Sequence, residues 1–110
     1  MFCKILADTA SVHSAGTWCI ENTKWDFSAI YFDGIDHFSH GFMKYHPPQL
    51  PGLPDTHFEL YKDIINGAYI FHDMILERYL QLIDEDTYII LVSDHGFHSD
   101  HLRLTSLPHE

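Results

Sequence analysis

The chain is poor in cysteine, in basic residues and in long apolar runs. Its 110 residues include two cysteines, Cys3 and Cys19, which are too few for a disulfide framework and favour a reducing compartment. Six Lys and Arg stand against 16 Asp and Glu, and a formal charge of −10 argues against nucleic acids and anionic membranes as partners. No apolar run approaches the roughly 20 residues of a membrane helix, and no signal-peptide pattern opens the chain. These features predict no membrane segment and, by default, a cytoplasmic location.

Apolar residues and histidine, by contrast, are plentiful. Hydrophobic residues make up 45% of the chain and aromatic residues 15%, which predicts one folded domain at most rather than disorder. Ten histidines combined with an acidic balance are typical of a cation binder. Most of these histidines are nevertheless expected to be ordinary surface residues.

Two segments show the three- and four-residue periodicity of amphipathic helices. The first predicted helix covers residues 2–21, and the second runs from a capping box at Thr56–Glu59 to about Asp84. The inward stripes consist of Ile5, Thr9, Val12, Gly16, Cys19 and Ile20 in the first helix, and of Phe58, Tyr61, Ile65, Ala68, His72, Ile75, Tyr79 and Leu82 in the second. Prolines at positions 47, 48, 51 and 54 predict a long loop before the second helix, of a length that often shapes a site.

Two further segments, 27–32 and 87–93, are predicted strands. Within the second, Tyr88–Val92 has no polar alternation, which is typical of a strand buried on both faces of a parallel sheet. The sequence therefore predicts an α/β fold in which a parallel strand–helix–strand crossover follows an N-terminal helix, with both strand ends on one edge. Because two strands cannot form a covered sheet, we expect residues 1–110 to be an incomplete piece of a single domain.

Acid and imidazole side chains follow each predicted strand. Asp36 and His40 come after the first strand, and Asp94 and His95 come directly after the second. Ligands can be expected beyond the carboxyl ends of such strands, and mixed Asp/His ligation suits zinc first, with manganese or iron as alternatives. Two such pairs on one edge predict two metal ions, which lie about 4 Å apart in phosphoryl-transfer sites. The simpler alternative to a metal site is that Asp94 only caps the backbone of a turn at the end of the strand.

Several neighbouring residues offer weaker candidates. Asp33 and His37 repeat the four-residue spacing and stay an alternative pair, while His72 is predicted to be a core histidine. Lys44 and Arg103 could contact a phosphate, but ordinary surface cations are the simpler interpretation. The residues expected to surround the site rather than to bind metal are His37, His46, His98, Asp100 and His101.

The motif Ser93-Asp-His-Gly-Phe97 after an apolar strand, combined with Asp36-x-x-x-His40 after an upstream strand, resembles the alkaline phosphatase superfamily. Within it the chain is similar to the type I phosphodiesterase/nucleotide pyrophosphatase family, from the first helix through His101. The resemblance implies a two-metal hydrolase of small phosphorylated substrates. It implies that Asp36 and His40 bind one metal, and that Asp94 and His95 bind the other. Sulfatases and cofactor-independent phosphoglycerate mutases share this scaffold and remain alternatives.

The chain departs from the family pattern in its nucleophile. The family also uses an upstream Thr or Ser, an upstream Asp and a downstream His. Thr9, Ser11 and Thr17 lie in the first predicted helix rather than in a strand-to-helix turn, and His109 would serve only if the tail folded back. We therefore predict no catalytic nucleophile here and an inactive isolated chain, because each metal keeps two ligands where about three are needed. A non-catalytic truncated remnant is the competing interpretation.

Overall fold

The computed structural model describes residues 1–103 and residue 105, and the regular secondary structure of this part of the chain is entirely helical. Its α-helices are α1 (Phe2–Asn22), α2 (Gly34–Phe42), α3 (Asp55–Tyr61) and α4 (Ile64–Leu82), and a 3-10 helix at Met43–Tyr45 directly follows α2. None of the helices described here is long and apolar enough to cross a membrane.

The predicted α/β fold, with its parallel strand–helix–strand crossover, is wrong. Residues 1–103 contain no strand, and segments 27–32 and 87–93 have no regular secondary structure. The two segments line one open cleft of about 1140 Å³, and no hydrogen bond among the described residues joins their backbones. Tyr88 is 94% exposed and Val92 91% exposed. A strand exists only through ladder hydrogen bonds to a neighbour about 4.8 Å away, so apolar, β-branched composition alone does not make one.

Helix α1 confirms the first predicted helix almost to its bounds. Ile5 and Thr9 of the predicted stripe are buried, whereas Cys19 near its end is exposed. The helix ends where the backbone becomes extended at Thr23, whose N–H donates to the Cys19 carbonyl over 3.0 Å. Periodicity alone therefore locates this helix, but it overstates how far the buried stripe extends.

Helix α2 is absent from the sequence-based prediction, yet it supplies the centre of the core. Phe38 is 1% exposed and Phe42, four residues later, is also buried, so one face of a nine-residue helix packs inward. Gly34 and Gly41 lower its intrinsic helix propensity, and tertiary packing overrides that preference. The core cluster consists of Ile5, Phe38, Phe42, Met43, Ile65 and Ala68.

The second predicted helix is present as two helices, α3 and α4, which are separated at Lys62 and Asp63. The predicted inward stripe is correct where α4 buries Ile65, Ala68, Ile75 and Tyr79. The capping box at Thr56 does not form, because α3 begins at Asp55 after Pro54 and has no side-chain cap. No residue of α3 is fully buried, but Tyr61 at its end packs against the core cluster.

Two glycines give a matched test of this packing. A Cβ at Gly34 would lie 2.5 Å from the Thr9 hydroxyl and 2.8 Å from the His72 Nε2, whereas a Cβ at Gly67 in α4 meets nothing within 4 Å. We expect Gly34→Ala to lower the free energy of unfolding by about 1–3 kcal/mol through overpacking. Gly67→Ala should instead raise it by up to about 1 kcal/mol through helix propensity.

Urea denaturation followed by circular dichroism measures both changes. Equal effects of the two substitutions would contradict the close approach of α2 to α1 and α4.

Candidate metal site at the Asp36 carboxylate

Helix α2 brings Asp36 and His40 together. Residues four apart on a helix share one face, and here the Asp36 Oδ1 lies 3.5 Å from the His40 Nε2. Both side chains are about one-third exposed, so the pair is accessible from solvent. The other imidazole nitrogen of His40, Nδ1, is buried and has no hydrogen-bond partner among the described residues.

His95 reaches the same carboxylate from the opposite end of the sequence. Its Nε2 lies 3.4 Å from the Asp36 Oδ1. The Phe97 ring packs edge-on against both imidazoles, with centroids 5.1 Å from His40 and 5.3 Å from His95. We call Asp36, His40 and His95 the Asp36 cluster.

Asp94 lies beside this cluster but points outward. Its side chain is 93% exposed, and its Oδ1 lies 3.9 Å from the His95 Nε2. Among the residues that the structure describes, no group of three or more His, Cys, Asp and Glu side chains is arranged to hold a metal ion. Asp36 thus lies beside both His40 and His95, and His95 also lies beside Asp94. Their role as metal ligands stays a prediction.

The alternative pair, Asp33 and His37, lies one turn earlier on α2. Its Asp33 Oδ2 and His37 Nδ1 are 3.8 Å apart, so the four-residue spacing works here as well. Within residues 1–103, however, His95 contacts Asp36 and not Asp33. The position of His95 therefore favours the Asp36/His40 pair.

Arg103 is not the surface cation that its sequence context suggests. It is 5% exposed, and its guanidinium donates to the carbonyls of Asp100 and His46. Sequence reasoning also assigned no role to Phe97, although a large apolar side chain within a polar stretch is a usable indication of packing. His109, which would serve as the downstream ligand only if the tail folded back, lies outside the described residues.

The His98–His101 region contains a second set of contacts, centred on Asp100. The backbone N–H of Leu102 donates to the Asp100 carboxylate over 2.9 Å, and His98 and His101 lie 3.7 and 3.8 Å from it. This hydrogen bond is the main reason that the pKa of Asp100 is lowered, and the two imidazoles add to the effect. The carboxylate thereby stabilises the turn that ends at Arg103.

A comparison with protein families agrees with the resemblance that the Asp36-x-x-x-His40 and Ser93–Phe97 motifs indicate. The model of the Type I phosphodiesterase / nucleotide pyrophosphatase family matches residues 4–103. This range covers most of the chain and includes all three residues of the Asp36 cluster. The chain therefore belongs to the type I phosphodiesterase/nucleotide pyrophosphatase family, which confirms the resemblance inferred from the sequence. Curated proteins and solved structures give no match.

The Asp100 turn has a defined pH dependence. Since its folded-state pKa is depressed, its contribution to stability is present above the unfolded value near 4 and is lost as pH falls through the folded value. We expect the Asp100 carboxyl carbon to titrate with a midpoint below 3.8 in an NMR experiment. Leu102→Pro removes the donating N–H and should return the midpoint towards that value. A wild-type midpoint at or above 3.8 would contradict the turn geometry.

Proposed function

We propose that this chain carries metal-binding residues of a two-metal hydrolase that acts on phosphate esters of the phosphodiester or nucleotide pyrophosphate type. Membership of the family supports this reaction class. One observation assigns this function to particular residues. The Asp36 carboxylate lies within 3.5 Å of two imidazoles that come from distant parts of the sequence. The substrate is a small phosphorylated compound.

The donor atoms of this site suit divalent metals. Carboxylate oxygen and imidazole nitrogen are ligands for zinc, and also for manganese or iron. Asp36 and His40 hold one ion in this proposal, while Asp94 and His95 hold the other. Because the ions of such sites lie about 4 Å apart, ligands of different ions are expected to lie close together, as Asp36 and His95 do. The exposed Asp94 side chain can rotate towards His95 without displacing packed atoms.

Charge is the reason that the site needs these ions. A chain with a formal charge of −10 repels an anionic phosphate ester. The nearby cations do not offset this, because Arg103 is buried against carbonyl groups and Lys44 lies 5.1 Å above the Tyr45 ring. When bound, two divalent ions supply the positive charge that holds a phosphoryl group and stabilises its attacking and leaving oxygens.

The chain's own hydroxyl groups are poor candidates for the nucleophile. Thr9 is 2% exposed, the Thr17 hydroxyl is buried, and the Ser11 hydroxyl donates to the Ala7 carbonyl within α1. We propose that none of these three residues attacks phosphorus. In this proposal the described part of the chain binds metal and phosphate, and no hydroxyl group of these three residues begins the reaction.

The competing function is a truncated remnant that binds metal weakly or not at all and does no chemistry. The absence of a preformed three-ligand group in the described part of the chain favours this alternative. Metal stoichiometry separates the two, because the hydrolase proposal requires two ions per chain.

Zinc titration of purified 1–110 by calorimetry tests the ligands. We expect Asp36→Asn to weaken zinc binding at least tenfold, since it removes the carboxylate that faces both imidazoles. His101→Ala is the matched control, because this imidazole is 83% exposed and lies outside the Asp36 cluster, and it should leave the affinity unchanged. Equal affinities for wild type and Asp36→Asn would contradict the proposed site.

Phosphate binding and turnover test the chemistry. The zinc-loaded chain should bind inorganic phosphate, and EDTA should abolish that binding. Asp94→Asn should reduce the zinc stoichiometry from about two to about one, because a site with two ions depends on its carboxylates. Without a nucleophile, the wild-type chain should not hydrolyse bis(p-nitrophenyl) phosphate above a zinc-matched blank. Turnover that disappears in Asp94→Asn would show that the nucleophile lies within residues 1–110 after all.

A further inference from the structure

The segment that carries His95 has few attachments to the rest of the protein. Residues 84–103 contain no helix or strand, and their hydrogen bonds are almost all local. Within the described part of the chain, one hydrogen bond links this segment to the remainder: the Arg103 Nη1 donates to the His46 carbonyl. The position of His95 therefore depends on very few contacts.

Arg103 is buried at the point where the segment contacts the rest of the protein. It is 5% exposed, its Nε donates to the Asp100 carbonyl over 2.9 Å, and its backbone N–H donates to the same carbonyl over 3.2 Å. Among the described residues, no carboxylate lies within 4 Å of its guanidinium, so its partners are carbonyl dipoles rather than an opposite charge. The fixed fork of a guanidinium can serve two carbonyls at once, which a lysine ammonium does poorly.

The other end of this contact lies just after the helical segment that carries the remaining site residues. His46 directly follows the 3-10 helix, which continues from α2 and thus from Asp36 and His40. Between Leu82 at the end of α4 and the Arg103 contact, the chain packs onto this region through Phe97, which contacts the His40 ring. Arg103 and Phe97 thus hold the segment against the same part of the fold.

We propose that Arg103 is a positioning residue, which fastens residues 94–103 to the end of the 3-10 helix that follows α2 and so keeps His95 beside Asp36. The consequence for metal binding rests on the proposed function, because it requires His95 to bind one ion of a two-metal site whose other ion Asp36 binds. The claim that Arg103 keeps His95 beside Asp36 does not rest on the proposed function, and it can be tested without metal.

The first measurement is zinc affinity. We expect Arg103→Ala to weaken binding about tenfold, equivalent to about 1.4 kcal/mol. Arg103→Lys should lie between this variant and wild type. Arg78→Ala is the matched control, because Arg78 also joins distant parts of the chain, through a 2.9 Å pair with Glu21, but away from the Asp36 cluster. It should leave zinc affinity unchanged.

A double-mutant cycle separates positioning from general loss of structure. In a His95→Ala background, Arg103→Ala should cause a much smaller loss than in wild type, because the imidazole that it keeps beside Asp36 is gone. In a His40→Ala background, the tenfold loss should persist. Equal losses in both backgrounds would overturn the proposal.

The second measurement uses the metal-free chain. The Phe97 and His40 rings, with centroids 5.1 Å apart, should give NMR cross-peaks that disappear in Arg103→Ala and persist in Arg78→Ala. If wild type binds no zinc, the proposed function fails while this contact still decides the role of Arg103. If Arg103→Ala loses its helical circular dichroism, Arg103→Lys replaces it in the same comparison. Ring contacts that survive in a folded Arg103 variant would overturn the positioning role.

Discussion

Burial of Phe38 is the interaction on which the rest of this structure depends. Its ring is almost fully enclosed where α2 meets α1 and α4, and it sits at the centre of the core cluster. Complete burial of such a side chain contributes about 1.5–3 kcal/mol, which is a large share of a small domain's stability. Because Asp36 and His40 lie two residues on either side of Phe38, the helical geometry places them on the opposite, accessible face. The packing that forms the core therefore also orients the candidate site.

The Asp36 cluster brings together residues from a well-packed part of the chain and from a part with few contacts. Asp36 and His40 belong to a packed helix, whereas His95 belongs to a segment without helix or strand. Local stability in proteins follows the density of buried contacts, so the helical half should stay ordered under conditions that release His95. Because of this difference, the position of His95 depends mainly on the ring contacts of Phe97 and on the hydrogen bonds of Arg103.

Sequence reasoning succeeded where structure is local and failed where it depends on partners. Helix α1 and the inward stripe of α4 follow from periodicity, which the chain carries within itself. The sequence patterns do not predict helix α2, because Gly34 and Gly41 lower its helix propensity and its formation depends on burying Phe38. The strands at 27–32 and 87–93 were wrong, because ladder hydrogen bonds need a neighbour that composition cannot reveal. The four-residue spacing predicts that Asp36 and His40 lie side by side, and they do, but their role as metal ligands stays a prediction. The burial of Arg103 depends on the His46 carbonyl, which is distant in the sequence.

The acidic balance of the chain connects its composition to the proposed chemistry. A phosphate ester approaching a protein of formal charge −10 meets repulsion, and neither Arg103, which is buried, nor Lys44, which lies over the Tyr45 ring, offsets it. The same carboxylates that repel phosphate attract divalent ions, whose charge exceeds that of one Lys or Arg. In this proposal a surplus of Asp and Glu is not an obstacle to binding phosphate, because it makes binding conditional on metal. Affinity for the substrate then depends on metal loading, and a chain that carries no ions discriminates against phosphorylated compounds.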